Sequence, residues 1–191
     1  MHTLAILGTR TMLFKPLHFV NYYGMCPHIY SYSNIPLKLP SPKNQEWIQN
    51  LREVLALELL SYAQYTADAE KFNAYMPYMM VIPQEEYHIE TIKRLFVAYG
   101  LPSDVKVGAV TETKTLPDAY ELCVKMERDL IPHHELLVKN AEDHDTAGIL
   151  NNLLLQTRHH LVMFEHALQM GGRGMGPGYG YGFGPGMMRG W

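Results

Sequence analysis

The chain has 191 residues, of which 47% are hydrophobic and 18% charged, with a formal net charge of −3. That is enough apolar sequence for one domain with a packed core, and it lacks the basic field that nucleic acid attracts. Its two cysteines, Cys26 and Cys123, make neither a disulfide framework nor a zinc motif, and no apolar run reaches the roughly 18 residues of a membrane helix. No nucleic-acid or membrane partner is expected, and the cytoplasm is the expected compartment.

Residues 1–43 are rich in proline and tyrosine, among them Pro16, Tyr22, Tyr23, Pro27, Tyr30, Pro36, Pro40 and Pro42, and show no helical period. They predict an extended arm against the core domain, with one short helix around 17–22. The apolar stretch Leu4–Leu7 has no basic region before it and no small-residue cleavage pattern after it, so no export signal is read. Met12 and Met25 are alternative starts.

From 44 to 170 apolar residues recur at helical spacing in four long blocks. The first, 44–73, carries Trp47, Leu51, Val54, Leu55, Tyr62 and Tyr65 on one side. The second, about 76–99, carries Val81, Ile82, Ile89, Ile92, Leu95 and Phe96, and Gly100 with Pro102 stops it. Pro83 lies inside this block, so it either kinks the helix or begins it. The third block, about 117–141, contains Pro132 and the fourth, 146–170, ends at Gly171–Gly172. Short links join the first pair and the second pair, while 100–116 is long enough to cross the bundle and to hold a short extended piece. The pattern predicts an all-α four-helix bundle with one long crossover. Residues 171–191, with ten glycines and no acidic residue, predict a flexible tail outside the core.

The chemistry-bearing signal is polar residues on the inward seams. Glu58 stands between Leu55 and Tyr62, Glu85 between Ile82 and Ile89 with His88 one turn on, and Glu127 between Val124 and Ile131. In the fourth block Asn152, Gln156, His159 and Met163 line one stripe, while Leu150, Leu154, Leu161, Phe164 and Leu168 form a more apolar alternative. Buried polar groups without partners cost roughly 1–3 kcal/mol each, and charges more, so this set needs a shared compensating group; a cation is the simplest. Glu85 and His88 lie at i and i+3 and converge on one point. A Glu followed on the next helix by a His recurs at an offset of 69 to 71 residues, as a two-fold dinuclear site requires.

This order, Glu, Glu-x-x-His, Glu, Gln-x-x-His on four helices, resembles the ferritin-like superfamily of rubrerythrin type, the di-iron and di-manganese carboxylate bundles. The resemblance covers about residues 44–170. It implies terminal carboxylates Glu58 and Glu127, a bridging Glu85, and terminal imidazoles His88 and His159, holding two iron ions or manganese. It also implies iron oxidation or the reduction of oxygen or peroxide. The chain departs from the family pattern at Gln156, where a second Glu is expected and where an amide is a weaker ligand. His133, His134, His160 and His166 are read as polar-face residues or as partners of ligands. Met79, Met80 and Met163 are read as core filler, and Phe72, Tyr75 and Tyr78 either as a cap on the core or as an oligomer contact.

Two functions follow. One is a di-iron or di-manganese oxidoreductase that lacks a built-in electron donor, since there are no rubredoxin-like cysteine pairs. The other is a structural or assembly protein on the same scaffold with a degraded metal site, for which the Gly/Tyr-rich tail offers a compositional likeness to spore-coat proteins and an alternative location. A homo-oligomer is expected, and in a further reading the C-terminal end Met187-Met188-Arg189-Gly190-Trp191 is an address that recruits the bundle to an assembly partner. Deleting 171–191 is expected to leave the helical circular-dichroism signal and the metal content unchanged while weakening association in sedimentation.

Overall fold

A computed structural model of the chain describes residues 35–171. Among them four helices alternate with loops and there is no strand: α1 (Gln45–Phe72), α2 (Tyr78–Tyr99), α3 (Leu116–Lys139) and α4 (His144–Gln169). The crossover between α2 and α3 contains no extended piece in strand pairing. Residues 1–34 and 172–191, which include Cys26, the short helix expected near 17–22 and the expected tail, lie outside the described residues.

Each helix is delimited by local chemistry. The Asn44 side chain accepts from the Trp47 N–H at 3.1 Å, and Asn73 ends α1 in the left-handed region at φ 48°. Gly100, at φ 66°, ends α2 where a side chain would be strained. Thr115 and Asp118 form a reciprocal capping box at the start of α3, and Asp143 accepts from the Thr146 N–H at 2.8 Å to start α4. Pro83 lies inside α2 and does not begin it. The carbonyls that Pro83 and Pro132 leave without a helical donor belong to Met79 and Arg128, both exposed, where solvent can satisfy them. Met79 and Met80 are therefore surface residues, about 40% exposed, and not core filler.

The apolar core falls into two clusters. One gathers Leu51, Leu55, Ile92, Leu95, Phe96, Leu130, Leu137 and Leu150; the other gathers Tyr65, Tyr78, Val81, Tyr120, Cys123 and Phe164. Along α1, α2 and α4, residues 58, 85, 88, 157 and 160 fall between the positions contributed to the two clusters, so a polar layer is held between two apolar ones. Tyr78 is buried against Tyr120 and Phe164, while Tyr75 is partly exposed.

The crossover is tied to α1. Gln64 exchanges hydrogen bonds with the backbone of Thr111, and the buried Asp68 carboxylate accepts from Gln64 Nε2 at 2.9 Å and from Thr113 Oγ1 at 2.6 Å. Ahead of α1, Leu39 N–H donates to Ala98 O at 2.8 Å, and Ile35 and Leu39 pack on the core. Asp68→Ala removes the acceptor of Thr113 Oγ1 and one of the two acceptors of Gln64 Nε2, and chemical denaturation is expected to show a loss of about 1–3 kcal/mol.

Candidate metal centre

The polar layer holds six titratable side chains with no exposed surface: Glu58 on α1, Glu85 and His88 on α2, Glu127 and His134 on α3, and His160 on α4. One ligand atom each of Glu85, His88 and His160 lies within 4.8 Å of the other two. The His88 and His160 rings stack with centroids 5.3 Å apart. His88 Nδ1 is 3.2 Å from Glu58, and His160 Nδ1 is 2.8 Å from Glu85 and 3.6 Å from Glu127.

The surrounding hydrogen bonds repeat with two-fold logic. His88 Nε2 lies 3.2 Å from Gln156 Oε1, and His160 Nε2 lies 3.2 Å from Gln84 Oε1. Each glutamine thus serves the imidazole of the opposite helix. With Nε2–H donating to the amide oxygen, the deprotonated ring presents its Nδ1 lone pair to the carboxylates. The terminal carboxylates are capped in the same crosswise way. Tyr65, seven residues after Glu58, donates its hydroxyl to Glu127 Oε1 at 2.7 Å; His134, seven residues after Glu127, has Nε2 2.8 Å from Glu58 Oε1. The repeat offset is 69 residues for α1 onto α3 and 72 for α2 onto α4.

The set is under-satisfied. Both oxygens of Glu85, Oε2 of Glu127, and Nδ1 of His134 and of His160 are buried without a hydrogen-bond partner, since the close His160–Glu85 approach is out of line for one. The charges divide accordingly. Burial pushes Glu58 up, but His88 and His134 beside it outweigh burial and hold its carboxyl well below the usual value. Burial, with Glu58 and Glu127 nearby, raises Glu85 well above the usual value. Burial lowers His88, yet the Glu58 carboxylate overcomes this and raises it; His160, with burial dominant, is lowered. Metal-free, the centre therefore binds protons on Glu85 and His88 more tightly than the free side chains do.

The residues expected from sequence divide in two groups. Glu58, Glu85, His88 and Glu127 come together at the centre. His159 does not: it is exposed on α4, and the neighbouring His160 is the buried imidazole. Gln156 is half-buried at the outer edge of His88 and does not occupy a bridging position. The position equivalent to Glu85 is Thr157, whose hydroxyl donates to Leu153 O at 3.1 Å within its own helix. The reason is register. Leu150, Leu153, Leu154 and Phe164 set the inward face of α4, which carries Thr157 and His160 inward and leaves Asn152 and His159 exposed. His134 and His160, read from sequence as polar-face residues or partners of ligands, are both fully buried in this layer; for His134 the spacing of seven from Glu127, repeating Glu58–Tyr65, was the available signal. Arg158 is exposed and pairs with Glu135 at 2.7 Å.

The four helices have the ferritin-like four-helix-bundle fold. No protein-family model matches the chain, and no curated protein matches it. Among solved structures, the chain is similar to a dodecameric thioferritin, a bacterioferritin-related protein from Bacteroides fragilis, at 17% identity and TM-score 0.60, covering 68% of this chain and 88% of that one. It is also similar to a conserved hypothetical protein from Mycobacterium tuberculosis, at 17% identity and TM-score 0.59, covering 66% of this chain and all of that one. Among the described residues no helix is long and apolar enough to cross a membrane.

The pH dependence follows from the shifts. Glu85 and His88 bind protons more tightly folded than unfolded. Their contributions to stability are complete below about pH 4.3 and about pH 6.5 respectively, and each is lost as pH rises through its raised folded value. The Glu58 contribution runs the other way, present above about pH 4.3 and lost as pH falls. Metal-free protein in chelator is thus expected to melt at falling temperature as pH rises above about 6.5. Glu85→Gln, neutral at every pH, is expected to stabilise that form at pH 8 by about 1–3 kcal/mol.

Proposed function

We propose that this chain is a metal-binding protein that holds two divalent iron or manganese ions in the centre of its bundle and uses them in redox chemistry. The observation that carries this reading is the set of buried, unpartnered carboxylate and imidazole atoms on α2, α3 and α4, gathered in one layer with Glu58 of α1. Carboxylate with imidazole suits iron or manganese better than softer metals. Glu58 with His88 would hold one ion and Glu127 with His160 the other, with Glu85 between them. A bound pair supplies electron exchange with oxygen, peroxide or ferrous iron. The chain's own residues do the rest. Gln84 and Gln156 fix the imidazole orientations, the apolar clusters on either side exclude bulk water, and Tyr65 holds Glu127. Metal entry competes with protons that Glu85 and His88 bind more tightly than free side chains do, so affinity rises with pH.

Thr157 favours a second reading, a ferritin-like scaffold with an incomplete site and a structural role. One carboxylate fewer leaves the centre with less negative charge than a fully symmetric repeat would supply. The thioferritin neighbour is dodecameric, which supports a homo-oligomer in either case.

Protein purified under native conditions after growth with iron and manganese is expected to carry roughly one to two equivalents of metal per chain by elemental analysis. His160→Ala is expected to reduce that content, and His159→Ala to leave it unchanged. Protein without metal at either supply, still able to assemble, would establish the structural reading instead.

A further inference from the structure

The two halves of the centre differ at two places. One is Glu85 against Thr157. The other is the cap on the terminal carboxylate, a phenol from Tyr65 on Glu127 and an imidazole from His134 on Glu58. His134 is fully buried in α3, its Nε2 is 2.8 Å from Glu58 Oε1, and its Nδ1 has no hydrogen-bond partner. Packing alone does not ask for a polar ring here, since α3 turns Leu130 and Leu137 into the core on either side of it along the helix. The hydrogen bond to Glu58 is the one polar contact this ring makes.

We propose that His134 is a positioning residue for the metal centre: by holding Oε1 of Glu58 it leaves the other oxygen to face the ion, and it governs the Glu58–His88 position alone, as Tyr65 governs the Glu127–His160 position. This rests on the metal-binding reading above. The crosswise arrangement is what separates the two effects. Each cap comes from the same place in its half, seven residues after its own half's terminal carboxylate, and each touches only the terminal carboxylate of the other half. A carboxylate with one oxygen engaged offers a single, directed ligand atom. Released, it can swing, or take both oxygens to one ion. Partners of this kind commonly change metal affinity 10- to 100-fold. His134 and Tyr65 therefore let the chain tune its two ion positions independently, and the unlike donors make them unequal.

The test is titration of metal-free, full-length protein with cobalt(II), a spectroscopic probe for such sites, followed by visible absorption and by calorimetry. Wild-type protein is expected to bind two equivalents in distinguishable steps. His134→Leu keeps similar volume but no donor; it is expected to weaken one step about 10- to 100-fold and to alter that step's absorption bands, leaving the other step unchanged. Tyr65→Phe is expected to weaken the other step. His134→Gln keeps an N–H donor and is expected to restore most of the lost affinity. A His134→Leu protein with both steps and both spectra as in wild type overturns the proposal, as does equal loss of both steps or a Gln variant no better than Leu. If wild-type protein binds no cobalt and no manganese, the metal-binding reading fails first. Wild-type binding with an indifferent His134→Leu refutes the positioning role alone.

Discussion

Carboxylates in the middle of a helical bundle cannot be hydrated, so their charge has to be answered from the helices around them. Glu58, Glu85 and Glu127 impose that requirement on every neighbouring element. Glu58 is met by two imidazoles, and Glu127 by the Tyr65 hydroxyl. Glu85 has no hydrogen bond, though His160 Nδ1 is 2.8 Å away, and burial beside two other carboxylates pushes its carboxyl well above the usual value. The fold tolerates this because the strain is confined to one layer. Tyr65, Tyr78, Tyr120 and Phe164 pack on one side, and Leu51, Leu55, Ile92 and Leu95 on the other. The two apolar clusters supply the stability that the polar layer withholds.

The crosswise bonding explains how four separate helices keep six side chains aimed at one place. A glutamine on α2 holds the histidine of α4, and a glutamine on α4 holds the histidine of α2. A tyrosine on α1 holds the carboxylate of α3, and a histidine on α3 holds the carboxylate of α1. No helix can rotate or slide without breaking a bond to its diagonal or adjacent partner. Such bracing is the arrangement expected of a site prepared for a ligand, because it fixes direction before anything is bound. It also gives Gln156 a role other than that of a missing carboxylate. The departure from symmetry lies one residue on, at Thr157, whose hydroxyl is satisfied within its own helix.

The four helices and the crossover were legible in the sequence because apolar period and glycine stops agreed with one another. Glu58, Glu85, His88 and Glu127 were legible because each interrupts an otherwise apolar seam. Helix α4 was harder to read. His159 and His160 are adjacent, and Gln156 with His159 imitates the Glu-x-x-His spacing seen on α2. Periodicity allowed two stripes, one polar and one apolar, about a residue apart in phase.

The sequence by itself determined that charge would be buried at mid-bundle and that the halves repeat, since residue type and spacing decide both. Only the tertiary structure decided which imidazole of α4 faces that charge. Leu150, Leu153, Leu154 and Phe164 bury together against the other helices, and a rotation of about 100° per residue then carries His160 inward and His159 to the surface. The tertiary structure alone also paired Tyr65 with Glu127 and His134 with Glu58, because those contacts join residues 62 and 76 positions apart that meet only when α1 and α3 pack.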